Sequence, residues 1–182
     1  MVRKFNKRLI LGLIGYFYDQ HLKNMDQDNF GSQEPQRAVT IERVFEAPRQ
    51  RVFGAWLDPK QLSQWWGPKG FTNPAAEIDP RPDGHIRIDM KGPDGTTYPM
   101  TGVFLKIEPA EKLAFTSNAL FEANGNPRLE NRNTVTFQDF DGKTIITLRA
   151  AVVRSTPEAA AALAGMEQGW NESFDKLAEV LK

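Results

Sequence analysis

Residues 156–181 read TPEAAAALAGMEQGWNESFDKLAEVL, and their period decides the fold. Thr156-Pro157-Glu158 is a helix start, and an Ala-rich run carries the helix on. Leu163, Met166, Trp170, Phe174, Leu177 and Leu181 then recur every three or four residues, which places one apolar stripe on a long helix. Gly165 and Gly169 interrupt the stripe. Each costs up to about 1 kcal/mol relative to Ala, so their presence points to close packing or a bend.

Upstream of this helix the pattern alternates instead. Residues 143–153 and 133–140 read as a hairpin across Asp141-Gly142, and residues 118–132, with Gly125 and Pro127, read as a long polar loop. Residues 112–117 and 97–108 are strands separated by a turn at Pro109-Ala110-Glu111, with Pro99 marking an edge or bulge. Ile86, Ile88 and Met90 alternate with Arg87, Asp89 and Lys91, so one face is apolar and Arg87 points outward. Turns at Arg81-Pro82-Asp83-Gly84 and Pro93-Asp94-Gly95 flank this strand, and residues 75–79 form a short one before it.

The pattern opens with a β-branched strand over residues 38–46. Pro48 then suits a helix start, with Val52, Phe53, Trp56 and Leu57 at helical spacing. Asp58-Pro59 starts a second short helix with Leu62, Trp65 and Trp66 on its apolar face. The expected fold is therefore α+β: a curved antiparallel sheet of about six to seven strands gripping one long C-terminal helix, with two short helices after the first strand. No period of 20–50 residues repeats, which excludes solenoids and propellers.

Composition narrows the function. The chain has 182 residues, 40% hydrophobic and 25% charged, which is globular. It has no Cys, which excludes disulfide scaffolds, thiolate metal sites and thiol nucleophiles. Its two histidines, His21 and His85, are too few for a His-rich metal site, so no metal and no cofactor are expected. Basic and acidic residues balance at 23 each, which removes the general electrostatic case for nucleic acid.

Residues 1–37 stand apart from the domain expected over 38–182. A basic cluster from Arg3 to Arg8 precedes an apolar run from Leu9 to Tyr18, and a polar linker follows. The run is too short for the ~20 residues of a membrane span, and no small-residue cleavage site follows it. Three readings stay open: a non-native start with Met25 as initiator, an interfacial anchor through residues 1–24, and an extra helix on the domain. A cytoplasmic protein is expected, or a membrane-associated one if the segment is an anchor.

Several segments carry a resemblance. Arg43-Val44-Phe45-Glu46-Ala47-Pro48, Val52-Phe53-Gly54-Ala55-Trp56-Leu57-Asp58-Pro59 and Trp65-Trp66-Gly67-Pro68 are followed in order by Arg81-Pro82-Asp83-Gly84, Met90, Pro93-Asp94-Gly95 and Gly102-Val103-Phe104. Gly169-Trp170 with Leu177 closes the series. Together these resemble the family of activator-of-90-kDa-heat-shock-protein-ATPase homologues, within the START and pollen-allergen-like (SRPBCC) superfamily, over residues 39–181. Asp83-Gly84 stands where the family often has two glycines. The resemblance implies a helix-grip fold with a cavity between sheet and helix. Co-chaperone members carry an additional N-terminal domain, for which residues 1–37 are too short.

No catalytic constellation is present: there is no nucleophile elbow, P-loop, dinucleotide fingerprint or zinc-protease motif. His85 and the carboxylates Asp79, Asp83, Asp89 and Asp94 sit at turns or on the wet face, where solvation is the simple reading. A binding protein is therefore expected before an enzyme, with a small hydrophobic molecule as partner. Its candidate ligand-binding residues are Trp56, Trp65, Trp66, Ile86, Ile88, Met90, Met100, Met166 and Trp170. A polyketide-cyclase or hydratase-like enzyme and a chaperone-interacting module are the alternatives.

Overall fold

Alternating apolar and polar residues build seven antiparallel strands in one sheet, with neighbours in the order β1-β7-β6-β5-β4-β3-β2. They are β1 (Arg37–Phe45), β2 (Thr72–Ile78), β3 (His85–Lys91), β4 (Thr97–Glu108), β5 (Lys112–Phe121), β6 (Pro127–Phe140) and β7 (Lys143–Ser155). The computed structural model describes residues 37–182. The readings placed on residues 1–36, including the Met25 start and the membrane-contacting stretch, lie outside the described residues. Among the described residues, no helix is long and apolar enough to cross a membrane.

Two short helices, α1 (Arg49–Leu57) and α2 (Pro59–Trp65), follow β1. Asp58 separates them and caps the second, accepting a hydrogen bond from the Lys60 backbone N–H at 2.9 Å. Its carboxyl lies below the usual aspartate value, chiefly because Gln61 donates to it. At the other end of the chain, a 3₁₀ turn (Pro157–Ala159) leads into α3 (Ala160–Ala164) and then α4 (Met166–Val180). The helix expected to be continuous is broken at Gly165, the first of its two glycines.

The inner face of the sheet follows from the register. Val39 and Ile41 of β1 lie beside Ala150 and Leu148 of β7, and these beside Asn133 and Val135 of β6. Phe115 and Leu113 of β5 continue the rows, and Ile86, Ile88 and Met90 supply the far side. Helix α4 packs on this face against β1 and α2. Phe174, fully buried, meets Phe45 edge-on at 5.7 Å.

Two strand boundaries differ from expectation. The polar segment 118–132 is not a loop: β5 runs on to Phe121 and β6 starts at Pro127. A tight turn joins them, in which the Gly125 N–H donates to the Glu122 carbonyl at 2.9 Å. Gly125 holds φ +85°, a conformation natural to glycine. Strand β2 begins at Thr72, earlier than the expected 75–79, with an irregularity between Thr72 and Ala75. Pro74 lies in that irregularity on an edge strand, where its missing N–H is tolerated. Pro99 is similar: it faces Asp89 of β3, but the β4–β5 register begins only at Thr101↔Asn118.

Candidate ligand cavity

Helix α4 is seated closely at its C-terminal half and stands away from the sheet at its N-terminal half. Phe174 and Leu177 are fully buried, whereas Gly165, Met166, Gly169 and Trp170 border open space. The result is a cavity of about 380 Å³ over strands β3, β4 and β5. That volume lies toward the small end of the ~300–1,000 Å³ range of ligand sites.

Each wall comes from a different element. Met90 of β3 and Met100 and Tyr98 of β4 form one side, and Ser117, Ala119 and Leu120 of β5 form the floor. Met166, Gly169, Trp170 and Ser173 of α4 form the roof, with Ala162 and Gly165 beside them. Trp66, Gly67, Pro68 and Phe71, from the chain after α2, close the remaining side. Among the described residues, no Asp, Glu, Lys, Arg or His lines the space. A charge placed inside would lose its hydration with nothing to replace it.

The loop after α2 is tied to α4 by two groups. The Lys69 backbone N–H donates to Glu172 Oε2 at 2.9 Å, and the Lys176 ammonium donates to the Trp66 carbonyl at 2.9 Å and to the Phe71 carbonyl at 3.4 Å. Hydrogen bonds from Gln168 and from Lys69 hold the Glu172 carboxyl below its ordinary value of 4.5. Burial pushes Lys176 below its ordinary 10.5, with the nearby Glu172 charge opposing the shift.

The sequence-derived candidates divide in two. Trp66, Met90, Met100, Met166 and Trp170 line the cavity. Trp56, Trp65, Ile86 and Ile88 do not; they belong to the packed core. Trp56 is the centre of an aromatic cluster, with the rings of Trp65, Trp66, Phe115, Phe137, Trp170 and Phe174 at 4.7–6.4 Å. Trp65 is fully buried, and its indole donates to the Ala55 carbonyl at 3.0 Å. Trp66 and Trp170 therefore have two roles, one edge on the cluster and another on the cavity. Arg87 points outward, beside Asp89.

Sequence reasoning missed Ser117, Ala119 and Leu120, together with Ser173, Tyr98 and Phe71. The first three fall at or beyond the boundary assigned to the polar loop. Continuing the alternation past Phe115 would have put Ser117 and Ala119 on the inner face. Among the described residues, no group of three or more His, Cys, Asp or Glu is placed to hold a metal ion.

A curved sheet around a closing helix, with an apolar cavity between them, defines a helix-grip protein of the SRPBCC kind, a fold that commonly binds hydrophobic ligands. The family model described as "Activator of Hsp90 ATPase homolog 1-like protein" matches residues 46–182, and the chain belongs to that family. Among solved structures, a protein from Arthrobacter aurescens is 28% identical with a TM-score of 0.70, over 79% of this chain and 85% of its own. One from Mycobacterium smegmatis is 25% identical with a TM-score of 0.67, covering 80% and 90%. A family member from Silicibacter pomeroyi is 25% identical with a TM-score of 0.63, covering 79% and 96%. No curated protein matches the chain.

Proposed function

We propose that this protein binds a small hydrophobic molecule between β3–β5 and the N-terminal half of α4. The observation that carries the reading is the cavity of about 380 Å³ with an uncharged, mostly apolar wall. Three methionines, Met90, Met100 and Met166, suit a site that adapts to its occupant, since the thioether chain is flexible and polarizable. An acid–base role finds little support in this wall. Its described hydroxyl residues are Tyr98, Ser117 and Ser173, and among the described lining residues there is no carboxylate or imidazole.

Native mass spectrometry of the full chain purified from its own source tests the reading. The expected spectrum contains a mass adduct that is released on denaturation. A bare mass, together with a melting temperature that no apolar compound raises, would overturn the proposal.

A further inference from the structure

We propose that Ser117 is a hydrogen-bonding anchor in this cavity. The ligand is then a neutral, largely apolar molecule carrying an oxygen that accepts a hydrogen bond. The inference rests on the ligand-cavity reading above and names the chemistry of its occupant.

Among the described residues three hydroxyls line the cavity, and two of them have spent their protons. Tyr98 donates to Asp94 Oδ2 at 3.3 Å, and Ser173 donates to the Gly169 carbonyl at 2.8 Å within its own helix. Ser117 differs. Its oxygen accepts a hydrogen bond from Asn133 Nδ2 at 2.9 Å, and its proton goes to no acceptor among the described residues. With a lone pair held by Asn133 on the strand side, the O–H bond is free to turn toward the open space. An occupant with an acceptor oxygen complements this uncommitted donor.

Asn133 supports this assignment independently. It is fully buried on the inner face of β6, opposite Phe115, while Ser117 lies diagonally across from it on β5. Its neighbours along that face are the apolar Val135 on one side and Asn131, the cross-strand partner of Ser117, on the other. The Asn133 Oδ1 is buried without a partner, which is destabilising in a core that an aliphatic residue could fill. The amide is oriented by its donation to Ser117 and by the Phe115 carbonyl at 3.5 Å. Asn133 is thus a positioning residue: it sets the direction of the Ser117 hydroxyl and does not border the cavity itself. With no cation among the described lining residues, a carboxylate or phosphate would lose its hydration uncompensated, which points to a ketone, ester, ether or alcohol oxygen as the acceptor.

Two neutral fluorophores test the inference: the aromatic ketone 6-propionyl-2-dimethylaminonaphthalene and its carbonyl-free counterpart 2-dimethylaminonaphthalene. The full chain should bind the ketone more tightly. Ser117→Ala should weaken the ketone by roughly five-fold, the scale of one hydrogen bond, and leave the carbonyl-free probe unchanged. In Asn133→Ala, the emission of the bound ketone should move to the blue as its carbonyl loses a fixed donor. A purely structural role would lower the melting temperature and leave that emission in place. Equal effects of Ser117→Ala on both probes, or none on either, would overturn the anchor while leaving the cavity reading intact. Failure of both probes to bind the parent chain would overturn both.

Discussion

The Lys176 ammonium on α4 donates a 2.9 Å hydrogen bond to the carbonyl oxygen of Trp66, where the chain leaves α2 for the cavity wall. One lysine thus fastens the closing helix to the residues that bound the cavity, and Glu172, one turn earlier, holds Lys69 of the same loop. The cavity's side wall is pinned from both sides, because Asn73 Nδ2 of β2 donates to the same Trp66 carbonyl at 2.8 Å.

That link gives a pH dependence. Burial depresses the folded-state pKa of Lys176 below 10.5, so at pH values between the two the unfolded chain binds more protons than the folded one. Stability from this group therefore rises as pH climbs through the folded value toward 10.5. Urea unfolding across the alkaline range should show a more positive slope of stability against pH in the parent than in Lys176→Met. Parallel slopes would mean that the ammonium is as well solvated in the fold as out of it.

Two members of the Trp56 cluster, Trp65 and Trp170, should respond differently to truncation. Trp65 is fully buried and donates to Ala55, so Trp65→Ala should cost about 3–5 kcal/mol. Trp170 is half-buried and borders the cavity, and Trp170→Ala should cost less than Trp65→Ala. Chemical denaturation of both variants decides it, and equal losses would mean that Trp170 faces a filled core.

Gly169→Ala should stabilise the helix by up to about 1 kcal/mol, since glycine is a poor helix former. A Cβ there would sit 3.5 Å from Pro68 Cγ, an ordinary contact that needs no rearrangement. The same methyl narrows the cavity, so affinity for an apolar probe should fall as stability rises. A variant that lost stability would show the loop to be packed more rigidly on α4 than this contact implies.

Gly102→Ala should act in the opposite direction. A Cβ at Gly102 would come within 1.9 Å of the Thr116 carbonyl, so β4 and β5 could not keep their spacing. The loss should exceed the ~1 kcal/mol typical of point substitutions. A melting temperature close to the parent's would count against the close approach of these strands beside Ser117.

The elements that form the grip were legible because their periods are strong. The apolar stripe from Leu163 to Leu181 marks the closing helix, and its break falls at Gly165. The floor of the cavity was harder to read. Asn118, Glu122, Arg128, Glu130 and Arg132 make residues 118–132 look like a loop, yet backbone pairing from Asn118↔Glu130 to Phe121↔Pro127 extends both strands. Ladder hydrogen bonds do not depend on side-chain polarity, so the hairpin carries polar residues on its wet face while Ala119 and Leu129 face inward. The division of the tryptophans was also hidden. Trp65 and Trp66 are adjacent, and only the packing of α2 against α4 decides which one faces the cavity.

The central claim is that the space between β5 and α4 holds an apolar molecule. Fluorescence titration of the full chain with N-phenyl-1-naphthylamine, in the parent and in Ala119→Phe, tests it most directly. Ala119 lines the floor, and a phenyl ring there would occupy the space itself. Saturable binding by the parent, lost by at least roughly ten-fold (about 1.4 kcal/mol) in a folded Ala119→Phe, is the predicted result. Equal binding by both proteins, or no binding by the parent, would contradict it.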